Sequence, residues 1–288
     1  MLISIITPIY NRANLLNRVY ESLLNQTHKC FEWVIIDDGS TDNLKEQIDM
    51  LNHDDNEFPL RYFYKENGGK HTALNIGFLK ANFSWCLVLD SDDWLVHTAI
   101  DDIRNAFNNN NVNPSGFIFL KSYMTGEIIG EKINTEGKLF APDLINMKGD
   151  KAFVVKTDLI KSIKFPEFKG EKFVTESFLW NKCFDNENNY ALGVNKTIYI
   201  AEYLPGGLTA NYYSLLKNNL KGTLSFVISN LQLNSVSLPA YKQAAYHFIP
   251  IAKFNTLRYL YERIGCLTFI KFNLILAIMF VKVKLRKK

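Results

Sequence analysis

The first hundred residues alternate between two hydrophobic periods. Residues 2–6 form a short apolar, β-rich run stopped by Thr7-Pro8, after which Leu16, Val19, Leu23 and Leu24 recur at helical spacing. Asn11 or Asn14 can cap that helix. The exchange then repeats. Residues 31–36 read as a strand followed by a helix through Leu44, Ile48 and Leu51. Residues 60–64 read as a strand followed by a helix over 71–80, and residues 85–89 as a fourth strand. Such βα alternation predicts a parallel sheet with helices on both faces.

Beyond Ile100 the pattern loosens. Residues 116–123 and 151–156 read as strands, separated by a polar stretch over about 125–150 that is expected to be mobile and close to the active cleft. A helix is expected over 176–184, a strand over 197–203, a turn at Pro205-Gly206-Gly207, and mostly helix from Tyr212 onward. The expected division is a catalytic α/β domain over 1–210 and a helical region over 211–288.

The chemistry gathers where the strands end. The four runs close in Thr7-Pro8-Ile9-Tyr10-Asn11-Arg12, Asp37-Asp38-Gly39-Ser40, Glu66-Asn67-Gly68-Gly69-Lys70 and Asp90-Ser91-Asp92-Asp93. In an open parallel sheet these ends share one edge, the edge at which ligands bind. The acidic run is the sharpest of the four, since neighbouring buried carboxylates are costly without a cation. Mg²⁺ or Mn²⁺, hard ions that take oxygen ligands, would satisfy it, and a solvated turn with a helix cap after it is the alternative. Gly68-Gly69-Lys70-His71-Thr72 lacks the first glycine of a Walker A loop and has His after the Lys, so that reading fails. A glycine turn before a helix can still approach a phosphate with its backbone N–H groups.

Composition narrows the classes. At 288 residues and 47% hydrophobic the chain is long and apolar enough for one large domain or a domain with an appendage. The net charge of +4 is concentrated in Lys282, Lys284, Arg286, Lys287 and Lys288, without which it is −1. The body therefore lacks the cationic face a nucleic-acid binder needs. Cys30, Cys86, Cys183 and Cys266 show no CxxC pairing, and the apolar surroundings of Cys86 and Cys266 predict buried thiols in a reducing cytoplasm. His28, His53, His97 and His247 sit in no ligand-like arrangement.

With these residues laid out, the first third of the chain resembles glycosyltransferase family 2, whose catalytic domain has the GT-A fold. The resemblance lies in Thr7-Pro8-Ile9-Tyr10-Asn11-Arg12, in Val34-Ile35-Ile36-Asp37-Asp38-Gly39-Ser40-Thr41-Asp42, and in Asn67-Gly68-Gly69-Lys70. It continues through Ala73-Leu74-Asn75-Ile76-Gly77 to Leu89-Asp90-Ser91-Asp92-Asp93. It implies an α/β GT-A fold, with a mostly parallel central sheet flanked by helices and a C-terminal helical extension. It also implies inverting sugar transfer from a nucleotide-diphosphate donor, a UDP-sugar, to a hydroxyl of a glycan or lipid-linked acceptor, as in bacterial surface polysaccharide synthesis.

On that resemblance Thr7, Pro8, Tyr10 and Arg12 line the nucleotide pocket, with Asn67, Lys70 and Ser91 beside them. Asp38 accepts hydrogen bonds from the base, and Asp90 faces the ribose. Asp92, with Asp90 assisting, holds Mn²⁺ or Mg²⁺ against the diphosphate. Thr175-Glu176 stands where many members carry Glu-Asp, so Glu176 would be the general base, with Glu171 its nearest competitor. Asp37 would support its loop through hydrogen bonds, and Asp93 would sit at a helix N-terminus. Tyr203-Leu204-Pro205-Gly206-Gly207-Leu208-Thr209 resembles the segment that closes the catalytic domain near the donor. A sugar nucleotidyltransferase is a competing class, but the loop after the first strand lacks its glycine-rich sequence. A non-catalytic nucleotide-sugar-binding module is a third, and the intact carboxylates argue against it.

Residues 264–283 are apolar apart from a few positions, with Lys271 and Asn273 near the middle. That length could cross a bilayer, but a central lysine makes spanning expensive. The preferred reading is an interfacial helix anchored by Lys and Arg, giving a cytoplasmic protein peripheral on the inner membrane face. Packing on the catalytic domain, or on a second subunit of a homo-oligomer, is the alternative.

Overall fold

The computed structural model describes residues 1–51, 57–109, 112–203 and 207–285, with side chains as far as Phe280. His53, the Pro205-Gly206 part of the expected turn, and Arg286 to Lys288 lie outside the described residues.

The strands are β1 (Ile3–Ile9), β2 (Phe31–Asp37), β3 (Leu60–Tyr64), β4 (Trp85–Val88), β5 (Trp94–Leu95), β6 (Gly116–Ser122), β7 (Lys151–Lys156) and β8 (Ala191–Ile200). The helices are α1 (Ala13–Leu24), α2 (Leu44–Leu51), α3 (Lys70–Lys80), α4 (Ala99–Asn108), α5 (Ala141–Asn146) and α6 (Thr157–Ser162), then α7 (Ser177–Cys183), α8 (Tyr212–Asn218), α9 (Leu220–Leu231), α10 (Leu238–Phe248), α11 (Phe254–Ile264) and α12 (Cys266–Leu285).

The eight strands form one sheet in the order β3-β2-β1-β4-β7-β6-β8-β5. The half that alternates in sequence, β3-β2-β1-β4, is parallel throughout. Every residue of β1 and β2 is buried, as expected of strands covered on both faces. The other half is mixed, so the sheet is less parallel than expected: β7 runs antiparallel to β4 and β6, and β5 antiparallel to β8. The regular βα alternation stops at β4, and with it the rule that each strand runs the same way.

The chain divides into two compact units. The first comprises Met1–Leu139, Met147–Lys164 and Asn188–Leu204 and contains the sheet. Its core is built on residues such as Trp33, Phe31, Phe58 and Phe117, with Leu16, Val19 and Leu23 of α1 packed in. The second comprises Phe140–Asn146, Phe165–Glu187 and Pro205–Lys288. This differs from a simple boundary at residue 210. Ala141 of α5 packs with Leu233 and Ala240, and α7 is tied to α9 and α10 by Asn181 Nδ2 donating to Asn230 Oδ1 (2.9 Å) and Asn230 Nδ2 to Gln243 Oε1 (2.6 Å). A helix of six or seven residues cannot bury enough surface alone, so α5 and α7 join the helical core although the sequence places them between strands.

All four cysteines are free thiols. Cys86 is buried as expected and Cys183 is buried too, whereas Cys266, at the first turn of α12, is exposed: the apolar run that suggested burial has one face uncovered.

His247 of α10 is buried among Phe226, Tyr246 and Tyr212, with Nε2 2.7 Å from the Tyr212 hydroxyl and Nδ1 2.7 Å from the Gln243 carbonyl. Burial pushes its pKa down to about 4, against the hydrogen bond to the Gln243 carbonyl, which raises it. The unfolded chain, with an ordinary His near 6.5, then binds the extra proton first as pH falls. The His247 contribution to stability is therefore complete above about pH 6.5 and is lost as pH falls toward 4, a difference of order 3 kcal/mol. Thermal unfolding between pH 7 and 5 should show this slope, and His247→Gln should flatten it. An unchanged slope in the variant would place the titration elsewhere.

Candidate active site

The loops after β1, β2 and β3 are tied to one another by side chains. Asn11 adopts a left-handed backbone (φ 49°), and its Oδ1 accepts the Thr41 N–H at 2.7 Å while its own N–H donates to Ser40 Oγ at 3.0 Å. Asp42 accepts from the first helical amide of α1, Ala13 N, at 2.9 Å. Asp37 accepts from Ser40 N and from the Tyr62 hydroxyl, each at 2.7 Å. Gly39 (φ 83°) brings this turn against Asn67, where a Cβ would lie 2.7 Å from the Asn67 nitrogen. Only a glycine fits both the backbone angle and the space.

Asp38 is buried and its carboxylate is fully used. Oδ1 accepts from Lys65 Nζ (2.6 Å) and Gly68 N (2.9 Å); Oδ2 accepts from Gly69 N (2.7 Å) and Asn67 Nδ2 (3.2 Å). A carboxylate has about four acceptor sites, so a bound base would have to replace one of these donors. In this structure Asp38 and Asn67 shape the glycine loop that leads into α3.

The acidic turn after β4 is held by groups the sequence did not single out. The Asp90 N–H donates to the Tyr199 hydroxyl of β8 at 2.9 Å. Arg18 of α1 donates to the Asp92 carbonyl, pairs with Glu202 at 2.5 Å, and lies over the Trp94 ring at 4.3 Å. The turn is thus fixed through its backbone, and two of its side chains meet cations. Lys70 Nζ, at the start of α3, is 2.6 Å from Asp90 Oδ1, and Arg12 Nη1 is 2.5 Å from Asp92 Oδ2. Behind them Lys121 of β6 is buried, 2.8 Å from Asp150 Oδ2 and over the Tyr199 ring at 4.0 Å. Burial pushes the Asp90 carboxyl up, but Lys70, Lys121 and Arg12 outweigh it and hold it below the ordinary carboxylate value.

Asp93 behaves differently. It is buried and accepts from Glu202 N at 2.8 Å. Burial, with the Asp90 charge adding to it, pushes its carboxyl up to about 7. It does not stand at a helix N-terminus, because Trp94 and Leu95 first pair with β8 and α4 begins only at Ala99.

The expected nucleotide residues are therefore of two kinds. Tyr10, Arg12, Lys70, Asn67, Asp90 and Asp92 keep exposed or partly exposed surface at the strand ends. Thr7, Pro8 and Ser91 are buried. The Thr7 hydroxyl accepts from the Trp33 indole at 2.9 Å inside the sheet, so its side chain serves the core rather than a pocket.

Glu176 belongs to the second unit, where it directly precedes α7 and its carbonyl accepts from Leu179 N at 2.9 Å. The segment before it is fastened to α9. Glu171 accepts from Lys221 N (2.9 Å) and Gly222 N (2.8 Å), and the Lys172 N–H donates to Asn219 Oδ1 (2.8 Å). A Cβ on Gly222 would lie 2.3 Å from the Phe173 carbonyl oxygen, which fixes this close approach. With both oxygens committed to amides opening a helix, Glu171 acts as a fastening and Glu176 is left as the candidate base. Thr175 Oγ1 lies 3.0 Å from the Tyr212 hydroxyl, which connects the same segment to His247.

With this geometry in place, comparison with known proteins decides the family. The profile of "Glycosyl transferase family 2" matches residues 4–161, more than half of the chain. The chain belongs to glycosyltransferase family 2. Among relatives, an uncharacterized glycosyltransferase of Rickettsia bellii is 39% identical over 99 residues, covering 34% of this chain and 14% of that protein. The chain thus spans about a seventh of that relative's length. A GalNAc(5)-diNAcBac-PP-undecaprenol beta-1,3-glucosyltransferase of Campylobacter jejuni is 26% identical over 194 residues, covering 65% and 61% of the two chains. Among solved structures, S. aureus TarS in complex with UDP-GlcNAc aligns with a TM-score of 0.65 at 18% identity, over 92% of this chain and 82% of that one. The mannosyltransferase PcManGT of Pyrobaculum calidifontis, with GDP-Man and Mn²⁺, aligns at 0.56 and 16% identity, over 99% and 80%. At such identities the structural likeness shows a shared GT-A fold.

The family implies a divalent ion, and the donor set fits one. Asp90 and Asp92 offer hard carboxylate oxygens on one short turn. Among the described residues no group of three or more potential ligands gathers. Mg²⁺ and Mn²⁺ are often bound through one or two carboxylates and take the rest of their shell from water and substrate phosphates, so Asp90 and Asp92 are the residues that would hold such an ion. An entering ion would compete with Arg12 for Asp92 and with Lys70 for Asp90.

Proposed function

We propose that this protein transfers a sugar with inversion from a UDP-sugar to a hydroxyl of a glycan or lipid-linked acceptor at a cytoplasmic membrane face. The observation that carries the reading is the pairing of Asp90 with Lys70 and of Asp92 with Arg12 at the carboxyl ends of the parallel strands. Two carboxylates and two cations at one edge can receive a diphosphate and its metal together. The UDP-GlcNAc complex of TarS supports the choice of nucleotide, and the undecaprenol-linked acceptor in the name of the Campylobacter relative supports the choice of acceptor.

In this reading the acceptor oxygen attacks the anomeric carbon from the face opposite the diphosphate. The carbon–oxygen bond to the diphosphate breaks, and its electron pair leaves with the diphosphate. Arg12 and Lys70, released from their carboxylates when the donor arrives, offset the growing negative charge. Mn²⁺ or Mg²⁺, held by Asp92 and Asp90, would supply further charge neutralisation there. Glu176 takes the proton of the acceptor hydroxyl. The Arg18 bond to the Asp92 carbonyl keeps the acidic turn in place while its side chains change partners.

Titration calorimetry with UDP and a panel of nucleotide sugars tests this. UDP and at least one UDP-sugar should bind, with affinity raised at least about tenfold by Mn²⁺ over a chelated sample. If no nucleotide or nucleotide sugar binds with or without the metal, the reading is wrong.

A further inference from the structure

Helix α12 is apolar on all sides, yet only one side is covered. A helix of that kind belongs inside a protein core or against lipid. Phe272 and Leu276 are buried with Phe248, Leu260 and Ile264 in the core of the second unit. On the other side Leu267 is 77% exposed, Leu274 64%, Ile278 57% and Ile270 51%. These four are spaced by three and four residues, so they form one continuous stripe along three turns. Single exposed leucines are ordinary, but a stripe of this length is a contact surface.

Charge decides what covers it. From Arg263 to the end, the sequence carries Arg263, Lys271, Lys282, Lys284, Arg286, Lys287 and Lys288, and no Asp or Glu. A second copy packing the same face against itself would bring like charges together. A membrane rich in anionic lipid offers the opposite sign, at about 1 kcal/mol for each Lys or Arg near the surface. Phe272 and Leu276 hold one side of α12 in the core of the second unit, which favours lying in the surface over spanning it. No helix among the described residues is long and apolar enough to cross a membrane. Exposed Lys271 borders the stripe, where a lysine can bury its stem and leave its ammonium at the headgroups. Half-exposed Tyr261, edge-on to Phe269 with centroids 5.1 Å apart, adds an amphipathic ring near the start of α12.

We infer that the Leu267-Ile270-Leu274-Ile278 face of α12 lies in the surface of an anionic bilayer. This deepens the proposed reading by saying what holds the enzyme beside a lipid-linked acceptor, but it does not depend on any donor binding. The 288-residue protein should co-sediment with vesicles of about 30% phosphatidylglycerol in phosphatidylcholine and not with phosphatidylcholine alone, and about 0.5 M salt should weaken the binding. Leu274→Glu combined with Ile278→Glu should lower the partition coefficient at least about tenfold. Both positions are exposed, so the melting temperature should hold, which a thermal scan checks. Failure of the wild type to bind anionic vesicles at low salt would overturn the inference. So would equal binding by the double variant. A light-scattering dimer that the double variant breaks, without vesicle binding, would show that a second copy covers the stripe. UDP titration of the same samples reads the donor site separately, so the two proposals can fail independently.

Discussion

Glu176→Gln is expected to lower turnover by about 10²- to 10⁴-fold while UDP affinity stays within about twofold. Gln keeps the length and shape of the side chain but cannot take up a proton. Glu176 opens α7 through its carbonyl rather than its side chain, so the substitution should leave the helix standing. Loss of turnover without loss of donor binding is the mark of a group used in the chemical step. Steady-state kinetics beside UDP titration will show it, and turnover within tenfold of the wild type would remove Glu176 as the base. Glu171 is the natural control because its carboxylate already receives two amides of α9. Its replacement should appear first as a lower melting temperature.

Asp92→Asn is expected to reduce turnover by about 10²- to 10³-fold and to remove most of the metal dependence of UDP binding. The reason lies in how the acidic turn is built. The backbone of that turn is held by Tyr199 on the Asp90 N–H and by Arg18 on the Asp92 carbonyl, neither of which needs the Asp92 carboxylate. The substitution therefore removes a charge, together with the partner of Arg12, without releasing the loop. Activity across a Mn²⁺ series measures it, and an unaltered metal response would exclude Asp92 as the ligand.

Much of the parallel half of the sheet was readable because local and tertiary signals agree there. Apolar runs of four to seven residues alternate with helical periods, and each run ends in residues that favour turns. The other half was harder to read. β5 is two residues long, and nothing in Trp94-Leu95 announces that it pairs with Tyr199 and Ile200 about a hundred positions later. That pairing moved Asp93 from a helix start into a buried site.

The strand-end residues paired in the candidate site, Arg12 with Asp92 and Lys70 with Asp90, were visible as short motifs. Arg18, Lys121 and Tyr199 were not. Arg18 is one polar position on an amphipathic helix, indistinguishable by period from a solvated arginine. Lys121 did leave a trace, as a lone cation in an otherwise apolar strand. Its partner Asp150 is remote in sequence, and only the antiparallel pairing of β6 and β7 brings the two together. Thr7 misled for the opposite reason. It belongs to a recognisable motif, but the alternation of a strand turns its hydroxyl inward to Trp33.

The division of the chain into interleaved units bears on how such a protein can diversify. The helical unit is drawn from three separate stretches, Phe140–Asn146, Phe165–Glu187 and Pro205–Lys288, threaded between segments of the sheet. A recombination event that exchanged one contiguous block would carry off part of that unit and strand the remainder without its core. New specificities on this scaffold would therefore arise more readily residue by residue than by swapping whole modules. The stretch carrying Glu176 would have to co-evolve with α9 and α10, which hold it.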